Sequence, residues 1–218
     1  MNLVFAREQD ALKDEILRLA HEVEIRLGSV LRAIALRDKE TLAYLMEADS
    51  EIDEQEVKIE EECLKILALH QPVARDLRFV IAILKMNNDI ERIGDIVANI
   101  ADRGIRLSAF ETPVLMTAIT EMGRLVQAML KESIYALVSL DVKAANDVIQ
   151  QDDAVDRLNV EVIKRVVQGI TETKTPEALL LVYSMARDLE RIGDHATNIA
   201  EDVAYLVDGT IIRHKHIQ

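Results

Sequence analysis

Eight acids stand in four pairs, each pair four residues apart: Asp49 with Asp53, Glu91 with Asp95, Asp152 with Asp156, and Glu190 with Asp194. On a helix this spacing sets both carboxylates of a pair on one face, where they repel by roughly 0.2–0.5 kcal/mol. A chain that makes this choice four times has a use for the negative charge. Two of the pairs belong to a duplication. Asp89-Ile90-Glu91-Arg92-Ile93-Gly94-Asp95 recurs 99 residues on as Asp188-Leu189-Glu190-Arg191-Ile192-Gly193-Asp194. The match continues to Asn99-Ile100-Ala101 against Asn198-Ile199-Ala200, and Met86 aligns with Met185.

The elements that carry these acids are helices. Half of the residues are apolar and 30% are charged, with no tryptophan, seven glycines and three prolines. That is the composition of long helices and not of sheets with many turns. Apolar residues recur at helical spacing along the chain. Leu12, Ile16, Leu19, Val23, Leu27, Val30 and Ile34 mark a first helix over 7–36. Leu42, Leu45, Ile52, Ile59 and Ile66 mark a second over 39–69. Pro72 lies in a connection, and Leu77, Val80, Ile83, Leu84 and Ile90 begin a third that runs to about 106. Thr112-Pro113 opens a fourth over 113–138, because proline lacks an amide that would be unpaired in the first turn. Asp141 caps a fifth over 142–169, and Thr175-Pro176 starts a sixth over 176–207, stopped by Asp208-Gly209.

The expected fold is therefore all-α: two tandem, internally repeated three-helix bundles made from six long helices. Residues 1–109 form the first bundle, 110–208 the second and 209–218 a tail, with a hinge near 107–112. Short connections make consecutive helices antiparallel.

In a helical hairpin, residues equidistant from the turn lie at one height. Asp53 with Glu91, and Asp49 with Asp95, are both centred on Pro72. Asp156 with Glu190, and Asp152 with Asp194, are both centred on residue 173, inside the turn Thr171–Thr175. The spacing thus predicts four acids at one level in each half. They cannot all stay ionised without a counter-charge. Arg92 and Arg191 are adjacent in sequence, but one helical step turns about 100° away. Protonation serves only some of the acids at neutral pH. A divalent or trivalent cation is the third means of relief, and an all-oxygen set suits magnesium, manganese, calcium or iron. A solvated acidic ridge is the plain alternative, and four pairs in matched register favour metal over it. Glu91 lies on the line Leu77, Leu84, Glu91, Ala98, Ile105, which otherwise reads as core, so the cluster is expected at the edge of the packed seam. Asn99 and Asn198 lie one turn further, where they could orient ligands or simply serve as helix polarity.

Other classes of function find less support. The net charge of −13 argues against nucleic acid and against anionic membrane as direct partners. The longest apolar runs, Phe79–Leu84 and Ala178–Tyr183, are far below the ~18–20 residues of a membrane span. Met1–Glu15 has no apolar stretch of signal-peptide length, and the lone Cys63 suits a reducing compartment, so a cytoplasmic location is expected. His21, His70 and Cys63 give no nucleophile-and-base arrangement, and no catalytic residue is assigned. His195 follows the second motif where Ile96 stands in the first, one helical step from its acids. His214 and His216 form a His-x-His in the tail, read as a basic terminus before a metal site.

At the acid motifs the chain resembles the PhoU family, bacterial accessory proteins of phosphate uptake. The residues that carry the resemblance are Asp49-Ser-Glu-Ile-Asp53, Glu91-Arg-Ile-Gly-Asp95, Asp152-Asp-Ala-Val-Asp156 and Glu190-Arg-Ile-Gly-Asp194, with Pro72-Val-Ala-Arg-Asp-Leu-Arg78 at the start of the third helix. The resemblance implies a non-enzymatic adaptor that negatively regulates an ABC-type phosphate importer through its ATPase subunit, and the sensor histidine kinase of the phosphate response. It also implies metal on the acid motifs, iron or zinc, of which zinc is not among the cations named above. A homodimer is expected from elongated bundles with exposed seams. Two other readings stand beside it. A ferritin-like di-metal oxidase requires Glu-x-x-His on two helices, and Gly94 and Gly193 occupy the histidine positions. A metal-independent helical scaffold would use the acids to meet a basic partner.

Overall fold

The computed structural model describes residues 3–48, 50–111 and 115–209. Among these the chain is helical throughout, with no strand. The helices are α1 (Leu3–Leu36), α2 (Lys39–Glu47), α3 (Ser50–His70), α4 (Ala74–Leu107), α5 (Met116–Ser139), α6 (Val142–Gly169) and α7 (Pro176–Asp208). The second of the six expected helices is thus recorded as two segments, α2 and α3, on either side of Ala48 and Asp49. Asp49 itself, the helix start at Thr112-Pro113 and the tail with His214 and His216 lie outside the described residues.

Helix ends follow local chemistry. The carboxylate of Asp141 accepts from the amides of Lys143 and Ala144 and so caps α6, as its sequence position predicts. Asp38 caps α2 in the same way, accepting from Thr41. Pro176 occupies the first turn of α7, and Gly209 ends that helix in the left-handed conformation, at φ 69°, donating to the Tyr205 carbonyl.

α1 packs on α2, α3 and α4, and α5, α6 and α7 pack on one another. The two groups are joined along α4 with α7 and along α1 with α5. A single contiguous apolar core runs through both halves, including Leu19, Leu27, Ile83, Met86, Met129, Met185 and Ile192. α4 and α7 are central, with 14 of 34 and 16 of 33 residues buried, and α3 is peripheral, with 4 of 21. α6 covers the opposite flank with 6 of 28. The line through Leu77, Leu84, Glu91, Ala98 and Ile105 proves to be the margin of this core, not its centre: Leu77 is 40% exposed and the rest are half-buried.

The α4–α7 contact also carries polar cross-links. Arg103 pairs with Asp188 at 2.6 Å and Lys85 with Asp202 at 3.2 Å. His195 meets Asp89 at 2.7 Å, and Asn198 donates to the same carboxylate at 3.1 Å. The helices therefore run antiparallel, and the halves are tied at both ends of their contact. The expected hinge at 107–112 lies only partly within the described residues. Its described part is held by Arg37, which donates to the carbonyls of Ser108 and Phe110.

Candidate metal centre

Helical phase decides which acids meet. On α4, Glu91 and Asp95 share a face one turn apart, and that face is turned toward α3. On α3, Asp53 lies in the first turn, where a carboxylate is favoured by the helix dipole. The structure brings Asp53, Glu91 and Asp95 together, with one oxygen of each within 4.8 Å of the others. Asp53 is exposed, and Glu91 and Asp95 are half-buried. Burial raises the Glu91 carboxyl above its usual range, and the neighbouring charges of Asp95, Glu56 and Asp53 add to the rise. Glu56, one turn beyond Asp53, is raised by burial and then by Glu60 and Asp53.

One expectation is corrected here. Arg92 does reach its neighbours: its guanidinium lies 3.2 Å from Asp95 and 3.5 Å from Glu91. The backbone step does turn away by about 100°, but a long flexible stem curls back over the helix surface. Arg191 forms no ion pair among the described residues. In the second half the corresponding task falls to Arg187, 3.2 Å from Glu190.

The second set of acids lies between α6 and α7, but among the described residues only the first set brings three carboxylate oxygens within 4.8 Å of one another. Asp152 is half-buried, and its Oδ1 is enclosed with no hydrogen-bond partner. Burial, then the charges of Asp194, Asp156 and Glu190, push its carboxyl up to about 7. Glu190 is raised by burial and by Asp194, with Arg187 opposing. Asp194 is raised as well, by loss of surrounding water and then by Asp156, although part of its side chain stays exposed. Asp156 is exposed. Gly193 explains the glycine of the motif: a Cβ there would come within 3.1 Å of Asp152 Oδ1. Its absence lets the α6 carboxylate lie against the α7 backbone.

All eight predicted residues can be placed except Asp49. The donor set is all oxygen, which suits hard cations. The three converged oxygens of Asp53, Glu91 and Asp95 have the spacing a cation needs, and the partnerless Oδ1 of Asp152 marks an unmet charge in the second set. The asparagines do not turn to these acids. Asn99 donates to the Asp95 carbonyl at 2.8 Å, and Asn198 crosses to Asp89 on α4. His195 likewise faces Asp89 in the α4–α7 seam, and the charge distribution of the motif gave no sign of that contact. Cys63 is buried, and burial lifts its thiol to about 12, well away from thiolate chemistry. His70 pairs with Glu8 at 2.5 Å, and His21 with Glu24 at 3.3 Å.

Comparison with known proteins agrees with the sequence motifs. The family model "PhoU domain" matches twice, over residues 16–104 and 119–203. The phosphate-specific transport system accessory protein PhoU homolog of Pseudomonas aeruginosa is 37% identical over 214 residues, which cover 96% of this chain and 88% of that protein. The crystal structure of PhoU from Pseudomonas aeruginosa superposes with a TM-score of 0.92 at 36% identity, covering 94% of this chain and all of that one. The phosphate transport system regulatory protein PhoU from Streptococcus pneumoniae gives 0.89 at 28% identity, covering 95% of this chain and 98% of its own.

Proposed function

Because this chain belongs to the PhoU family of phosphate transport accessory proteins, we propose that it is a cytoplasmic, non-catalytic adaptor that restrains an ABC-type phosphate importer. In this reading it contacts the importer's ATPase subunit and the linked sensor histidine kinase. Each repeat, 1–109 and 110–208, presents one acid cluster that holds metal. The observation that carries the metal part is the convergence of Asp53, Glu91 and Asp95 within 4.8 Å. Asp152, Asp156, Glu190 and Asp194 would hold a cation in the second half. A bound cation supplies the counter-charge that neighbouring carboxylates lack. The chain's own residues fix the rest. Gly193 gives Asp152 its seat, Arg187 and Arg92 hold the glutamate and aspartate edges, and the packed helices set the spacing. None of the helices described is long and apolar enough to cross a membrane, in keeping with a protein that works from the cytoplasmic side.

The test is binding of the purified protein to the importer's ATPase subunit, with and without a strong chelator. Binding lost on chelation and restored by one metal joins the clusters to regulation. Binding that ignores the chelator keeps the adaptor and leaves metal a structural part. Absence of binding in both conditions removes the ATPase as partner and turns attention to the kinase. In parallel, Asp→Asn changes at Asp49, Asp53, Asp152 and Asp156 are expected to lower metal stoichiometry, and full retention would refute the assigned ligands. A metal-independent scaffold is the second reading, favoured by the exposure of Asp53 and Asp156.

A further inference from the structure

Asp53 comes to the first cluster from an unfavourable place. It stands in the first turn of α3, which starts at Ser50, close behind the end of α2 at Glu47. Only 4 of the 21 residues of α3 are buried. So narrow a buried stripe does little to fix how a helix end is turned about its axis. The second half has no such difficulty, because one helix, α6, carries Asp152 and Asp156 well inside its ends at Val142 and Gly169.

Arg26 of α1 supplies what burial does not. It is the one basic side chain buried among the described residues, at 7% exposed. Its guanidinium donates to the Ala48 carbonyl at the end of α2, to Glu22 on its own helix at 2.6 Å and to Glu51 in the first turn of α3 at 2.7 Å. Gln55, one turn past Glu51, donates to the other oxygen of Glu22 at 3.5 Å. A guanidinium whose fork is filled in this way holds its partners in one geometry. Each helical step turns about 100°. Glu51 and Gln55 therefore share one flank of α3, the buried Ile52 comes next, and Asp53 lies roughly opposite the first two. Tying the Glu51 flank to α1 turns Asp53 to the far side, where Glu91 and Asp95 of α4 meet it within 4.8 Å.

We propose that Arg26 is the positioning residue of the first acid cluster: it fixes the roll of α3 and so sets Asp53 against Glu91 and Asp95. The proposal rests on the reading of that cluster as a metal site. Its sign separates it from electrostatics. Loss of a positive charge by itself favours a cation at neighbouring acids, whereas loss of the seat of Asp53 weakens the cation.

Manganese titration calorimetry on two backgrounds tests it. The variant Asp156→Asn, Glu190→Gln, Asp194→Asn leaves the first cluster intact, and Asp53→Asn, Glu91→Gln, Asp95→Asn leaves the second. On the first background Arg26→Met is expected to weaken manganese by about tenfold, the low end of what losing a ligand-orienting partner costs. On the second background it is expected to change nothing. Arg26→Lys keeps the charge but not the fork, and is expected to weaken the first cluster by a smaller factor, which decides the matter should Arg26→Met not fold. Unchanged or tighter binding at the first cluster overturns the proposal. So does equal weakening on both backgrounds, the mark of a general loss of stability. If the first background binds no manganese before Arg26 is changed, the metal reading fails, and hydrogen exchange of the metal-free protein then judges the positioning. The amides of residues 54–58 close the first turns of α3. They are expected to exchange about tenfold faster in Arg26→Met, with those of residues 91–95 unchanged. Exchange at 54–58 that matches the wild-type chain overturns the proposal.

Discussion

The two acid clusters share a motif and differ in how they bear its charge. In the first, Arg92 bridges to Asp95 and Glu91, and Asp53 faces water. In the second, Asp152 is drawn against Gly193 with an unpartnered oxygen, and no arginine reaches Asp194 or Asp156 with an ion pair among the described residues. In the first half Arg92 lies against two of the acids, while in the second Arg187 pairs with Glu190 alone and the Asp152 carboxyl is pushed up to about 7. A duplicated sequence therefore gives two electrostatically different clusters, and on the proposed metal reading the second has more uncompensated charge for a cation to relieve.

The largest expected effect is on metal-induced stability. A cation present at 100 times its Kd stabilises the fold by about 2.7 kcal/mol. Calorimetric unfolding with manganese or magnesium is expected to show most of that gain surviving in the triple variant Asp53→Asn, Glu91→Gln, Asp95→Asn. The matching variant Asp156→Asn, Glu190→Gln, Asp194→Asn loses most of it. Equal losses would erase the contrast between the sites.

Proton binding sharpens the same contrast in metal-free protein. Asp152 titrates near 7 when folded against an ordinary 3.8. Folding thus favours its protonated form. Stability from this group is complete below about pH 4 and falls as pH rises, levelling off above about 7. The loss is on the order of 1–2 kcal/mol once screening by water at the open side is allowed for. Chemical denaturation at pH 5 and pH 8 is expected to show a smaller difference for Asp152→Asn than for the wild-type chain.

Gly193→Ala separates the seat of Asp152 from the helix that offers it. Alanine favours the helix by up to about 1 kcal/mol, but its Cβ, 3.1 Å from Asp152 Oδ1, displaces that carboxylate. Metal-free thermal stability is expected to hold or rise slightly while the metal-induced gain shrinks. A variant that binds metal as wild type does would show that Asp152 is not a ligand. The smallest effect belongs to Arg92→Ala. The exposed ion pairs it removes are worth about 0.5 kcal/mol or less. Its value lies in the direction: titration calorimetry is expected to show tighter cation binding at the first cluster, bringing it closer to the second.

Much of this was legible in the residues. Asp141, Pro176 and Gly209 announce helix ends by chemistry that acts within a few positions, and the structure follows them. Register around Pro72 needs only equal rise per residue on two antiparallel helices, and it places Asp53 beside Glu91 correctly. What escaped depends on reach or on a second helix. Arg92 was misplaced because backbone phase does not fix where a guanidinium ends. The α4–α7 seam was missed because bundles were counted one half at a time. Ala82, Ala101 and Gly104 on α4 and Ala186, Ala200 and Ala204 on α7 are buried beyond a single apolar stripe. An apolar arc that wide marks a helix covered on more than one side. His195, Asp89, Arg103 and Asp188 then have partners that no pattern within either repeat contains.

The unbroken core has a thermodynamic consequence that the repeat conceals. α4 and α7 each spend part of their burial on the other half, with Arg103–Asp188 and Lys85–Asp202 at the ends of the shared surface. A free-energy gain lodged in one half is thereby felt by the other, since neither can open without uncovering its neighbour. The molecule is expected to melt as one cooperative unit, in a single calorimetric transition, because a liberated half would carry a raw apolar face into water. Duplication supplied two copies of a pattern, and the α4–α7 contact binds them into one core.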